Sequence, residues 1–533
     1  MLKRSNGVTS LMGLGLMLPV LAQAALSPSA QPDAGRLSRE LKPQVDLPQP
    51  GITMTLPTPG REVVQSGGLR IILNKVAFAG NTVFSQQQLT EVLQSSLGKQ
   101  YDLAGLFQLA DQISAYYRER GYSFAKAFVP EDGFRDGVLI MQVVEGNYGE
   151  RKALADSPRR SAQAQRFLEP LRAGDPIHTP TLEKRLLILD SLPGYSVLPA
   201  IKPGAEMGSG DLDVRLTRTA LATGSVGLSN HGNRYTGYYQ ARANVSLNSP
   251  FMFGDQLAFS LLSSDQSLQS SSVNYSMPLG GNGMRATAGY SLTDYRLGIS
   301  KASGRAQTTT LGLSYPLIRT RQANLTVSVQ GQHKRFFDEK KFPVLLKQSR
   351  SDSGVLMLNF DRTSNQAVTY GQLEWAMGSF DGGTPDLAKT NGRFSRINAD
   401  VIRLQRVMDR LNLYVRLNAQ VASENLDSSE SFSLGGPYGV RAYTSGEGTG
   451  DEGLLTQLEL RYQRTATLAP FVFFDAGRSR LEHKPTSAAK NSRSLSGVGA
   501  GLRYQRGPLS LEALVAHRLV GGDPQFDPRD DAL

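Results

Sequence analysis

The chain has 533 residues, no cysteine and a formal net charge of +11, which is too long for one ordinary domain and predicts two to four units. Its Lys and Arg residues are scattered rather than gathered in a run, so the positive charge reads as a solvated polar wall, and nucleic acid is not an expected partner. Zero thiols exclude a disulfide framework, and no window of the mature chain offers eighteen apolar residues, which excludes a helical membrane span but not the membrane.

The first segment, MLKRSNGVTSLMGLGLMLPVLAQA, has Lys3 and Arg4, an apolar stretch from Leu11 to Leu21, and Ala22-Gln23-Ala24 in the small-x-small pattern of a cleavage site. Residues 1–24 are therefore expected to be a secretory signal peptide, since the apolar stretch is too short to span a bilayer. Its removal takes away two positive charges and no negative ones, leaving +9. Residues 25–68 are polar and punctuated by Pro48, Pro50, Pro57 and Pro59, which predicts an extended linker. Within it DAGRLSRELKPQ places Leu37 and Leu41 one turn apart; periodicity alone fits a brief amphipathic helix and disorder equally.

From Leu69 to Thr219 the pattern becomes mixed α/β. LRIILNKVAFAG reads as one strand closing at Gly80-Asn81, and SQQQLTEVLQSSLG as a helix capped by Ser85 and stopped at Gly98. Asp102 caps a second helix whose Leu103, Leu106, Phe107, Ala110, Ile113 and Tyr117 share a face, and Gly121 ends it. The strands SFAKAFVP and GVLIMQVVEG complete a βααββ unit over residues 69–147. A second unit over 148–219 has a helix around SAQAQRFLEPL, then a helix capped by Thr179 with Pro180 at its first position and Leu182, Leu186 and Leu189 inward. SVLPAIKPG and DLDVRLTRT finish it.

Past Thr219 the helical period disappears. Segments of about ten residues alternate strictly between apolar and polar side chains and are separated by Gly, Asn, Asp and Ser turns, as in a transmembrane barrel. In LNLYVRLNAQV, for instance, Leu411, Leu413, Val415, Leu417, Ala419 and Val421 point outward, while Arg416 points inward with Asn412, Asn418 and Gln420. Roughly 300 residues of this kind without helices fit a closed barrel over residues 220–533 better than stacked sandwiches. Late in the series comes GGPYGVRAYTSGEGTGDEG, residues 435–453. It carries Glu447, Asp451 and Glu452, lacks the Lys-Ser/Thr ending of a phosphate loop and feeds the alternating LLTQLELRYQ, so it joins strands.

A signal peptide, a proline-rich linker, two βααββ repeats and a barrel broken late by a glycine-rich VRxY loop together resemble the outer-membrane transporters of two-partner secretion, the haemolysin secretion and activation (TpsB) proteins. The residues that carry the resemblance are GNTVFSQQQL, GDP with LEKRLLILDSLPG, SNHGNRYTGYYQARANVSLNSPFMFGDQL, LGGPYGVRAY with GDEG, and FVFFDAG. The resemblance implies α+β POTRA domains followed by an all-β barrel of the sixteen-stranded type in the outer membrane of a Gram-negative bacterium. It also implies ATP-independent export of one large partner (TpsA), whose amino-terminal secretion domain the POTRA domains receive in the periplasm. Addition of an extended chain to an exposed strand edge is a physical mode for that recognition. The implied lumen loop holds Gly435, Gly436, Val440, Arg441, Ala442 and Tyr443. Arg441 is expected to present its planar fork to Asp475 on the FVFFDAG strand, beside Phe471 and Phe473, while the segment with Leu37 and Leu41 plugs the resting pore. Insertion by the barrel-assembly machinery, contact with outer-membrane lipid and a monomeric state are further implications; no catalytic group, metal or cofactor is expected.

Two features depart from the family pattern. The motif reads VRAY where many members have VRGY, and Ala442 does not easily adopt positive φ. About fifteen strands are counted if the Phe432 segment belongs to the loop, so either that segment is a strand or the sequence stops one strand short, the second being expected. The five histidines are far apart in sequence, and neither HExxH nor GxSxG occurs. A barrel-assembly or insertion factor of the same superfamily and a simple diffusion porin remain the alternative functions.

Overall fold

The computed structural model describes residues 32–41, 67, 70–135, 138–297, 301–341, 344–383 and 385–527; the expected signal peptide and most of the expected linker lie outside the described residues. A short helix comes first, α1 (Ala34–Glu40), with the Asp33 side chain accepting from the Arg36 N–H at its start.

The first α/β unit runs through β1 (Ile71–Ile72), β2 (Lys75–Ala79), α2 (Gln86–Val92), β3 (Gln100–Tyr101), α3 (Leu103–Glu119), β4 (Lys126–Phe128), β5 (Phe134–Arg135) and β6 (Val138–Val144). Ser85 and Gln88 form a reciprocal capping box and Asp102 caps α3, as their spacing predicts. Three expectations are corrected. The LRIILNKVAFAG segment is two strands, because β1 pairs with β3 whereas β2 pairs in parallel with β6. Helix α2 ends at Val92 and a tight 3₁₀ turn, Gln94–Ser96, carries the chain on towards Gly98. Leu103 is half-exposed on the free first turn of α3, so the core stripe is Leu106, Leu109, Ala110, Ile113 and Tyr117.

The second unit repeats the topology with β7 (Asn147–Leu154), α4 (Pro158–Gln165), α5 (Thr179–Asp190), β8 (Tyr195–Pro203) and β9 (Ser209–Arg218). In both units a strand ahead of the helices, β2 or β7, lies parallel to the last, and a strand between them in sequence, β4 or β8, pairs antiparallel with the last. Thr179 does not cap α5. Its N–H donates to Gly121 O at 2.7 Å, so Thr179 is already the first helical residue, Pro180 the second and His178 the flanking one. Helix α4 starts earlier than expected because Ser157 caps it ahead of Pro158.

Glu145, just after β6 and 5 % exposed, closes the first unit. It accepts from the Thr82 N–H at 2.8 Å, the Val83 N–H at 2.9 Å and the Tyr117 hydroxyl at 2.7 Å, and also from the Thr82 hydroxyl. Burial alone would push its carboxyl up, but these hydrogen bonds outweigh burial and hold it below the usual carboxylate range. A lowered folded value means that the stabilisation is present at neutral pH and is lost only as pH falls through that value. Glu145→Gln is expected to cost about 1–3 kcal/mol at pH 7. Hydrogen exchange of the β6 amides in the full-length protein should be faster in the variant, and the difference should shrink as the pH is taken into the acid range.

The remainder is one antiparallel sheet of fifteen strands in sequence order. Its first members are β10 (Ala222–Ser229), β11 (Gln240–Asn248), β12 (Gln256–Ser264), β13 (Leu268–Leu279), β14 (Met284–Arg296), β15 (Ser303–Arg319), β16 (Ala323–Lys341) and β17 (Val344–Thr363). The rest are β18 (Ala367–Asp381), β19 (Gly392–Met408), β20 (Leu411–Ala422), β21 (Glu452–Tyr462), β22 (Leu468–Arg480), β23 (Ser492–Arg506) and β24 (Leu509–Val520). Among the described residues β10 and β24 are the two edges and do not pair. Phe432 contributes a single bridge to Gly450 within the loop, so the Phe432 segment is not a strand; β21 already begins at Glu452, which ends the loop at Asp451 rather than at residue 453.

Alternation gives the sheet two unlike faces. Val226, Leu228, Val421, Val472 and Val515 are more than half exposed on the outer face, while Arg416, Gln420, Gln457, Glu459 and Asp475 are buried on the inner one. Exposed β-branched and aliphatic side chains along a whole sheet face are what a lipid-facing wall requires. The second α/β unit docks on the turns at one end of this sheet. Phe253, from the turn between β11 and β12, enters that unit's core against Phe167 and Tyr195, and Glu183 pairs with Arg321 at 3.2 Å.

Candidate functional site

The segment between β20 and β21 folds onto the inner face, and its glycines explain how. Gly436 and Gly446 take φ of 113° and 101°, a region that side chains rarely enter. The fold-back is sealed by an apolar cluster of Phe432, Leu434, Val440, Ala442 and Tyr443 from the loop with Leu455 and Leu495 from the wall. Gly435 lies at the base of the fold, its N–H bonded to Glu447 O.

Arg441 is the first of three ionic anchors. Its Nε stands 2.8 Å from one Asp475 oxygen and its Nη2 2.7 Å from the other, while its backbone N–H donates to the same carboxylate at 3.1 Å. Asp475 is fully buried. The third guanidinium nitrogen pairs with Glu459, and the flat of the group stacks over Phe473 at 3.7 Å. A parallel-fork geometry plus a ring face uses every feature in which Arg differs from Lys. Phe471 and Phe473 can lie flat against the neighbouring strand because β23 presents Gly501 and Gly499 beneath them.

The second anchor is Glu430, 1 % exposed, which takes Lys334 of β16 and the Arg396 Nε of β19 at 2.6 Å; Arg396 also reaches Glu374 of β18 at 2.5 Å. The third is Glu447. It pairs with Arg493 at 2.7 Å and accepts the backbone N–H groups of Gln525 and Phe526 at 2.9 and 2.7 Å, so the chain after β24 is tied to the same loop. Arg416, forked onto Asp400, adds a bond to Tyr438 O at 3.0 Å.

Helix α1 lies across the inner face of β14, β15 and β16, near the strand ends remote from the α/β units. Leu37 is 2 % exposed among Tyr235, Leu268, Tyr295, Ala306 and Phe336, and Leu41 packs at the edge of that cluster. Arg36 locks the helix to the loop: it bonds Gly446 O, reaches Thr449 Oγ1 at 2.8 Å and Glu40 at 3.1 Å, and stacks on Phe526 at 4.3 Å. At the start of the same helix the Ala34 N–H donates to Asp338 at 3.0 Å, and the Ser428 hydroxyl donates to Asp33 at 2.6 Å.

Sequence reasoning placed Arg441 with Asp475 and missed Glu430, Glu447, Glu459 and Arg36. Glu459 had a readable signal as the carboxylate on the polar face of TQLELRYQ. Glu430 had none, because its partners lie 96 and 34 residues earlier. Ala442 keeps negative φ and is buried, with Gly497 opposite it; a Cβ on Gly497 would come within 2.6 Å of the Ala442 Cβ. Gly497→Ala is therefore expected to lift the loop at a cost of about 1–3 kcal/mol. Adding Ala442→Gly should restore it, which protease sensitivity of the loop in outer-membrane preparations would report.

The profile of the family described as haemolysin secretion/activation protein ShlB/FhaC/HecB matches residues 208–504, and that of the ShlB-type POTRA domain matches residues 71–146. The chain is 27 % identical over 551 residues to the heme/hemopexin transporter protein HuxB of Haemophilus influenzae (strain 86-028NP), covering 97 % of this chain and 96 % of that one. It is 25 % identical over 468 residues to the outer membrane transporter CdiB of Escherichia coli O6:K15:H31 (strain 536 / UPEC), covering 82 % and 77 %. Among solved structures, CdiB from Escherichia coli superposes with a TM-score of 0.72 at 23 % identity, over 86 % of this chain and 88 % of that one, which speaks to the fold.

Proposed function

Because the chain belongs to the haemolysin secretion/activation protein family, we propose that it is an outer-membrane transporter that takes up one large partner in the periplasm and passes it through its barrel to the cell surface. The partner is a protein of the TpsA kind, received through its amino-terminal secretion domain by residues 69–147 and 148–219 acting as two POTRA domains. Transport proceeds without ATP, and the transporter works as a monomer once the barrel-assembly machinery has inserted it.

The observation that carries this reading is an inner sheet face covered by two parts that belong to no strand of the wall, a loop and a helix. The glycine-hinged loop is held by side chains rather than by a strand ladder, and α1 touches three strands and is tied to the loop through Arg36. A plain diffusion porin has no use for either part, nor for an α/β unit docked on the turns at one end of its wall. A factor that inserts other barrels into the membrane is the closer rival; it would leave the partner in the membrane fraction. Deleting residues 71–146 is expected to leave the barrel inserted while the co-expressed partner stays in the periplasm. Appearance of that partner in the medium at the parental level would remove the receiving role from this unit.

A further inference from the structure

Two stretches of the sheet's inner face are dissimilar, with β16 and β17 between them. From β18 to β24 the face is charged: Glu374, Arg396, Asp400, Arg416, Glu459 and Asp475 point inward and are engaged by the loop anchors or by one another. From β12 to β15 the register brings Ser260, Ser272, Ser291 and Thr308 side by side across four strands, with Asn274, Gly289 and Thr310 in the row next to them. Among the described residues of these four strands the charged inward side chains are Arg285 and, past the irregularity after Pro316, Arg319. Both sit at the end where the second α/β unit docks. Ser272, Ser291 and Thr310 are half-buried, and α1 reaches these strands only near Leu268, Tyr295 and Ala306, at the opposite end.

A wall that a polypeptide must slide along cannot hold it well anywhere; transit needs many weak and equivalent sites. Fixed charges would catch oppositely charged side chains, since charge-assisted hydrogen bonds are roughly twice as strong as neutral ones. An apolar strip would catch hydrophobic ones. Hydroxyls and amides give neutral hydrogen bonds that water replaces at little cost. On the reading that the barrel exports a protein, we propose that the β12–β15 wall is the track along which an extended, unfolded chain slides, whatever its charge, and that the β18–β24 wall is static support for the loop.

The absence of cysteine lets single thiols report position without background. Cysteine would be placed at Ser272, Ser291 or Thr310 on the track, or at Gln372, Asn398 or Asn412 on the charged side. The partner, the large exported protein of the same genetic locus, would carry one unpaired reporter cysteine and, beyond it, a carboxy-terminal domain locked by a disulfide of its own that halts it in transit. Under a mild oxidant, crosslinks to the three track positions should exceed those to the other three by about tenfold, as a matching difference in effective concentration gives. Equal crosslinking, or a preference for the charged side, overturns the track. Failure of the parental protein to export the partner at all overturns the export reading itself, which is a different result. A position whose variant is missing from the membrane is replaced by a neighbour on the same face, Asn274→Cys or Thr287→Cys on the track and Asn418→Cys on the charged side, so that each is scored on inserted protein.

Discussion

Arg441→Ala is expected to leave the protein inserted in the outer membrane at its normal level and to reduce secretion of the partner by about a hundredfold or more. The wall does not depend on Arg441, because the strands are held by their own ladder and by lipid contact on the outer face. The loop does. Asp475 is fully buried and Glu459 nearly so, and both have Arg441 among their partners. Removing one member of a buried ion pair costs about 3–5 kcal/mol, since the remaining charge has no water to replace it. At a factor of ten for every ~1.4 kcal/mol, the docked loop becomes a minor population. Arg441→Lys should fall between, because a single ammonium cannot span both Asp475 oxygens and stack on Phe473. Asp475→Asn alone should also impair secretion, and in a double-mutant cycle the two losses should be strongly non-additive. Secreted partner is measured against the amount of heat-modifiable barrel in the membrane.

Releasing the plug should act in the opposite sense. Deletion of residues 33–41, or Arg36→Ala, is expected to give a steadily conducting pore in planar bilayers where the parent is mostly closed, while secretion persists. Arg36 is the joint between helix and loop: its guanidinium holds Gly446 O, Thr449 Oγ1 and Glu40 and stacks on Phe526. Hydrogen bonds made by a charged group contribute about 1.5–3 kcal/mol each. Losing even two of them shifts the helix towards its undocked state by about two decades or more. The helix packs on the inner face of β14, β15 and β16, so on the export reading its loss removes a barrier and no part of the path. Closed traces from the Arg36→Ala protein would take the plug role away from α1.

Much of the fold was legible because local chemistry wrote it. Ser85 with Gln88, and Asp102, stand where helices start, since each side chain satisfies a free N–H that no other residue reaches. The inward placement of Arg416 and Glu459 follows from a period of two, which no helix can imitate. What escaped was decided at long range. The break after Ile72 exists because β1 and β2 answer to different partners, β3 nearby and β6 more than sixty positions on. Thr179 resembles a cap, yet a carbonyl of the first unit, Gly121 O, takes its N–H and moves the helix start back. Likewise Glu430 is one acidic residue among several until folding brings Lys334 and Arg396 to it. Arg441 was readable as an anchor only through the family resemblance, since by itself it fits a solvated pore residue as well; given the VRxY loop, the FVFFDAG strand offers Asp475 with Phe471 and Phe473 on the same face. The second partner of Arg441, Glu459, came from the adjacent strand and was passed over.

Transport through this chain alone can be tested in lipid vesicles that hold the purified protein and nothing else. Unfolded partner is added on the POTRA side without nucleotide, and the fraction that becomes protected from external protease is measured. Protection of the wild-type partner, absent with Arg441→Ala vesicles and absent for a partner lacking its amino-terminal secretion domain, is the predicted result. A partner that stays digestible, that enters only when ATP is supplied, or that lodges in the bilayer instead of crossing it would contradict an export pore.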